Sequence, residues 1–204
     1  MPSVSARVRP VVSGDRAGAV LVPSEGRAAA LRVELLATIG RRSPLALPAP
    51  VLASAHQTAA VRDYLVWYAT HPNPAGTFAA RTRWLRRLPG SWLVRTMFAL
   101  GYDGLIYLDG GAVVGHVFFH RRGPELHGFS TAVSPPFDGS GYSVVMLLDF
   151  VTYAAACAGV ERARVGRGVN NVTQRFLQRL AQHERELGWR VDADGWVHFV
   201  PSSD

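Results

Sequence analysis

Tyr107, His116, His120, Glu125 and His127 fall in a stretch where short apolar runs alternate with glycine turns. Read as strands, Leu105 to Asp109 and Ala112 to His120 are joined at Gly110-Gly111, a pair that supplies the positive φ of a two-residue hairpin turn. Tyr107 would then face Val114, and Leu105 would face His116. A second turn at Arg121 to Pro124 would set His120 against Glu125, Phe118 against His127 and His116 against Phe129. In that register the five titratable groups share one face across three strands. Histidine titrates near neutrality and a nearby carboxylate raises its pKa, so such a face suits general-base chemistry. His127, His116 and Glu125 are the candidate catalytic residues, His127 first. A plainer reading stays open beside this one. His120 and Glu125 flank a turn and can be a solvated pair, and His116 can be a satisfied core histidine.

A second chemistry-bearing stretch runs from Ser134 to Ser143, with Gly139 and Gly141 inside it and an apolar helical run behind it. A turn that opens a helix presents free N–H groups at the positive end of the helix dipole, and glycines let an anion approach the backbone. A diphosphate fits that description. So does a plain tight turn in which Asp138 acts as a cap. Cys157 lies among alanines in an apolar helical run and reads as a buried, inert thiol. The histidines show no metal-ligand spacing, and no metal is expected.

The elements that would carry these groups can be read from period and punctuation. Residues 1–54 are rich in Ala, Pro, Ser and Arg, and form either an N-terminal arm or a first strand and helix; Gly26 to Ile39 has helical composition. The main domain is read as 55–204. Helices are expected over Ala55 to Thr70, about Thr77 to Leu88, and Ser91 to Leu100, with Pro72, Pro74 and Pro89 as breaks. Glu125 to Val133 makes a third strand, followed by a helix over Gly141 to Ala158, a strand Arg162 to Val165 and a helix Asn171 to Leu187. A terminal hairpin pairs Trp189 to Asp192 with Trp196 to Val200. The expected class is a mixed α/β domain with a mostly antiparallel central sheet and helices on both faces.

Composition bounds the reading. The 204 residues are 48% hydrophobic and 18% charged, which fits one globular domain with a real core. No apolar run approaches the roughly 20 residues of a membrane span, and the N-terminus lacks the apolar segment of a secretory signal. One cysteine allows no internal disulfide, and a cytoplasmic setting is expected. Net charge is +7, carried by Arg alone, since the chain has no Lys. A basic balance favours an anionic partner. The Arg residues are dispersed, including Arg81, Arg83, Arg86 and Arg87 on one helix, and no row of aromatics interleaves with them, so nucleic acid is not the expected partner.

The order of helices, three antiparallel strands, helix, strand, helix and two strands resembles that of the GNAT (GCN5-related N-acetyltransferase) family over about Leu105 to Val200. The likeness is sharpest from Val133 to Ser143, which resembles the family's strand-to-helix motif: Val-x-Pro-x-aromatic, then Arg/Gln-x-x-Gly-x-Gly/Ala. Val133, Pro135, Phe137, Gly139 and Gly141 fall in place, while Asp138 stands for the usual Arg or Gln and Ser143 for the last small residue. The resemblance implies acyl transfer from acetyl-CoA or another acyl-CoA to a small-molecule or peptide amine, by direct attack on the thioester. It implies that the amides of Gly139, Ser140, Gly141, Tyr142 and Ser143 hold the pyrophosphate, and that the main chain of Thr131, Ala132 and Val133 pairs with the pantetheine arm. His127 would act as base because its strand leads into the thioester site, with Ser130 and Thr131 as further donors near the scissile carbonyl. The family's Asn at the head of the next helix corresponds to Asn170, with Asn171 beside it. The Tyr that protonates the leaving thiolate has no counterpart: Phe176 stands seven residues after Val169, and that helix holds no Tyr. A second reading therefore accompanies the first, a divergent member of the fold with another biosynthetic or carrier-bound substrate and weak or no use of CoA. A homodimer is compatible with either.

Overall fold

The computed structural model describes residues 26–40, 46–70, 87–137, 139–166 and 171–199. Its elements are α1 (Arg27–Gly40), β1 (Pro50–Leu52), α2 (Ala59–Thr70), α3 (Gly90–Ala99), β2 (Tyr102–Asp109), β3 (Ala112–Arg122), β4 (Glu125–Val133), α4 (Tyr142–Ala156), β5 (Arg162–Val165), α5 (Asn171–Ala181), α6 (Glu184–Leu187), β6 (Trp189–Val191) and β7 (Trp196–Phe199). The strands make one seven-stranded sheet in the order β1-β2-β3-β4-β5-β7-β6. Only the β4–β5 pair is parallel. This is the mixed, mostly antiparallel architecture expected from the sequence.

Two apolar cores lie on opposite faces of the sheet, because strand alternation sends successive side chains to opposite sides. Leu105, Val117, Phe119, Leu126 and Ala163 meet α1, α4 and α5 through Leu31, Leu35, Val145, Met146, Phe176 and Leu180. Ile106 and Phe118 meet α2 and α3 through Val61, Leu65, Leu93 and Met97. Phe176 is thus a core residue, 2% exposed. Helix α4 is buried nearly all round, since it is covered by the sheet on one side and α1 on the other.

Several expected limits shift. Helix α2 begins at Ala59, four residues after the expected Ala55, behind a turn over Ser54 and Ala55. The helix expected over Thr77 to Leu88 lies almost wholly outside the described residues. The run Asn171 to Leu187 is two helices, α5 and α6, with a turn at Gln182 and His183. Strands β2 and β3 extend to Tyr102 and Arg122, so the β3–β4 turn is only Gly123 and Pro124, with Arg122 paired to Glu125.

Two register irregularities matter most. Between β2 and β3, Tyr107 pairs with Gly115 and Leu108 with Val113, leaving Val114 as an extra residue. Between β3 and β4, Phe118 pairs with Ser130 and Phe119 with Gly128, leaving Phe129 as the extra one. Each is a bulge, and a one-residue slip sends everything beyond it to the other face. Tyr107 accordingly leaves the face expected for it and enters the α4 core. There its hydroxyl donates to Asp149 Oδ2 at 2.9 Å. Arg32 of α1 closes the same carboxylate through Nε at 2.7 Å and Nη2 at 3.2 Å. Burial pushes the Asp149 carboxyl up, and Arg32 opposes the shift. Charge in the middle of an apolar helix is thereby satisfied, and α1 is tied to the sheet.

Candidate functional site

Strand β4 has β3 along one side over its whole length, but its other side is only partly covered. Pairing with β5 runs from Glu125 to Gly128, and the Gly166 N–H closes it by donating to Gly128 O at 3.1 Å. From the bulge at Phe129 to Val133, no strand among the described residues covers that edge. Pairing with β5 therefore ends at Gly128, and among the described residues the main chain of Thr131, Ala132 and Val133 has no strand on that side. An extended ligand can pair with such an edge as another strand would.

The strand ends in a short 3₁₀ turn, Pro135–Phe137, and then the glycine turn that opens α4. Gly139 and Gly141 both have positive φ, 70° and 89°, a conformation that L side chains avoid. Ser140 is buried and knits the turn together. Its N–H and hydroxyl both donate to Phe137 O, and its Oγ accepts the Tyr142 N–H at 3.3 Å. Val144 N–H is taken by Gly141 O. The N–H groups of Gly139, Gly141 and Ser143 have no partner among the described residues, and Gly139 and Gly141 are exposed. Three of the five amides expected to meet a pyrophosphate are thus unspent, while Ser140 and Tyr142 spend theirs on the turn itself. One flank is narrowed: Ile39, at the end of α1, would lie 3.5 Å from a Cβ placed on Gly141. Asp138 and Asn170 lie outside the described residues.

Three histidines do share the face across from α4. His116 sits opposite Ala132, and His120 sits opposite His127 rather than Glu125. His116 is 2% exposed and held at both ring nitrogens, by the Tyr64 hydroxyl at Nδ1 (2.7 Å) and Ser130 Oγ at Nε2 (3.0 Å). Tyr68 and Phe118 pack on the ring at 5.1 and 4.2 Å between centroids. Burial lowers its pKa to about 3 and raises that of Tyr64 to about 12. His116 is therefore a neutral link in a chain from α2 through β3 to β4, ending at Ser130 beside the bulge. Tyr64 was not singled out in the sequence, because its pairing depends on where α2 crosses β3.

His127 is differently placed. Its Nε2 lies 2.9 Å from Glu125 Oε2, and Arg162 holds Oε1 of the same carboxylate through Nε at 2.9 Å and through Nη2. His120 stacks on the His127 ring at 5.1 Å and Trp196 meets it edge-on at 5.0 Å. Burial lowers the His127 pKa, Glu125 opposes that shift, and Arg122 and Arg164 reinforce it. Arg162 and His127 hold the Glu125 carboxyl below its usual range. The carboxylate can only accept, so Nε2 carries the imidazole hydrogen in the neutral ring and Nδ1 keeps a lone pair. Cys157 follows the end of α4, is partly buried, and has its thiol pKa raised by burial.

Among solved structures, the chain is similar to Tetrahymena GCN5, with 13% identity and a TM-score of 0.42 over 78% of this chain and 99% of that one. It is similar to the ribosomal-protein-S18-alanine N-acetyltransferase of Escherichia coli, at 13% identity and a TM-score of 0.44 over 76% and 97%. It is also similar to the Campylobacter jejuni N-acetyltransferase PseH, solved with acetyl coenzyme A, at 12% identity and a TM-score of 0.42 over 75% and 98%. At such scores none of these likenesses bears on what this chain does. No protein-family model and no curated protein matches it. Among the described residues no helix is long and apolar enough to cross a membrane.

Proposed function

We propose that this chain is an acyl-CoA-dependent N-acyltransferase of the GNAT type, moving an acyl group from a coenzyme A thioester to an amine. The observation that carries the reading is the end of β4–β5 pairing at Gly128. Among the described residues it leaves that edge without a strand on a segment that runs straight into a helix-opening turn with unspent amides. In this reading Thr131 to Val133 receive the pantetheine arm, and Gly139, Gly141 and Ser143 receive the pyrophosphate. The co-substrate supplies an activated acyl carbon; the chain supplies position and a proton acceptor.

An amine must be neutral to attack. His127 takes the proton at Nδ1, held in the right tautomer by Glu125, and Arg162 keeps that carboxylate ionised. The C–N bond forms as the C–S bond breaks, and the thiolate leaves as the thiol with the second amine proton, taken from the nitrogen directly or through water. Helix α5 offers no Tyr to protonate it. Ser130, backed by His116 and Tyr64, stands at the bulge as a hydrogen-bond donor near the reacting carbonyl.

Calorimetric titration of acetyl-CoA into the protein tests this, with Gly141→Trp as the blocked control. Saturable heat in the first and none in the second is the expected result; no heat in either removes the reading. A second reading, the same fold serving another substrate without CoA, draws on Ile39 against Gly141 and on the missing Tyr.

A further inference from the structure

The sheet face that carries His127 continues across β5, β7 and β6, and it is strongly basic. Register places Arg122 and Glu125, Arg162 and His198, Arg164 and Trp196, and Arg190 and His198 in neighbouring rows on that face. Four guanidinium groups thus meet two carboxylates, Glu125 and Asp192. Both acids are engaged: Glu125 by Arg162 and His127, and Asp192 by His198 at 2.9 Å and by the N–H groups of Asp194 and Trp196. Arg122, Arg164 and Arg190 have no acid partner among the described residues.

Arg164 is the most telling of these. It stands directly across from His127 in the β4–β5 ladder. Its guanidinium carbon lies 5.5 Å from the Trp196 ring centre, with that of Arg162 at 4.4 Å. Its Nε is buried and makes no hydrogen bond among the described residues. Arg164 as a whole is only half-buried, and a guanidinium left short of acceptors pairs readily with a carboxylate or phosphate oxyanion. Among the described residues no other arginine nitrogen is buried without a hydrogen bond.

We propose that this is an oxyanion-binding subsite and that the acceptor amine carries a carboxylate or phosphate, which Arg164 holds while His127 takes the proton from the amine. This assignment of acceptor class rests on the acyltransferase reading; the subsite itself does not. In the group-transfer step the amine nitrogen bonds to the acyl carbon and the thioester C–S bond breaks. Of the two protons the ammonium group gives up, one passes to His127 and the other leaves with the thiolate as the free thiol; the oxyanion is unchanged.

Two measurements separate the ideas. In the first, thiol release from acetyl-CoA is followed with paired acceptors: phenylalanine against phenylalanine amide, and phosphoethanolamine against ethanolamine. The expected result is a kcat/KM about tenfold or more higher for one anionic member, with that preference lost in Arg164→Gln; which pair responds tells carboxylate from phosphate. Equal use of charged and neutral partners, or a preference that survives Arg164→Gln, overturns the proposal. In the second, benzoate is titrated into the protein without acetyl-CoA, and circular dichroism confirms that Arg164→Gln is folded. Benzoate binding lost in that variant supports the subsite even where acetyl-CoA fails to bind, a result that would remove only the acyltransferase reading. Acetyl-CoA binding with neither benzoate binding nor an anionic preference removes the subsite alone.

Discussion

His127 Nε2 lies 2.9 Å from Glu125 Oε2, while the other oxygen of that carboxylate is held by Arg162. One acid therefore both fixes the imidazole tautomer and is itself kept ionised. The His127 pKa already sits below 6.5 because burial outweighs Glu125. Removing the negative charge lets it fall further. In Glu125→Gln the acid limb of the kcat/KM profile should accordingly move to lower pH, with kcat down about tenfold. His127→Ala should lose on the order of a hundredfold, the lower end for a general base. A pH–rate profile on wild type and both variants checks this; unchanged limbs would remove His127 from the chemistry.

His116 makes stability depend on acidity. Its folded pKa, about 3, lies below the unfolded value of 6.5, so the unfolded chain binds the extra proton more readily. The contribution is fully present above about pH 6.5 and is lost as pH falls toward 3. A shift of that size sets an upper bound on the order of 5 kcal/mol. Urea midpoints between pH 7 and 4 should drop steeply in wild type and less steeply in His116→Phe. That variant is expected to be weaker at pH 7 by about 1–3 kcal/mol, because Tyr64 and Ser130 lose their partner.

Gly141→Trp places a side chain on a φ of +89° at an exposed position. The strain is expected to cost about 1–2 kcal/mol, while acetyl-CoA affinity should fall by more than tenfold. Ile39→Ala should do the reverse. It deletes a buried side chain, 8% exposed, costing about 2–4 kcal/mol, yet it opens the flank of the turn. Denaturation and calorimetry on the same samples resolve the two effects.

Arg32→Met strands the Asp149 carboxylate, 2% exposed at its side chain, and should destabilise the fold by about 3–5 kcal/mol. Arg32→Met with Asp149→Leu should recover much of the loss, because no uncompensated charge remains. Chemical denaturation of the single and double variants provides the test.

The sequence revealed β4 to the residue, and the order of elements from α2 onward apart from the break between α5 and α6, because alternation, apolar period and glycine punctuation are local signals. Strand β1, which begins at Pro50, was not read. It misplaced Tyr107, since the bulge at Val114 leaves no mark in the alternation of polar and apolar residues. The Phe129 bulge escaped for the same reason, and it is the place where the pairing of β4 with β5 ends. The face shared by His116, His120 and His127 was legible because His116 and His120 lie four residues apart on β3, and the tighter β3–β4 turn moves the partner of His127 by two residues, which keeps its face. Their partners Tyr64, Arg162 and Trp196 were not, since each arrives from an element distant in sequence. Nor could anything in Leu31, Leu35 or Ile39 tell that α1 would lie along α4 and reach the glycine turn.

Strand β7 is made after β6 but sits between it and β5. During synthesis, the outer border of β5 must wait for Trp196 to Phe199 to leave the ribosome. Until then its hydrogen-bonding groups on that side have only water or a foreign strand to meet. A chain stopped just before Trp196 would present that bare border permanently, and self-association through it should follow.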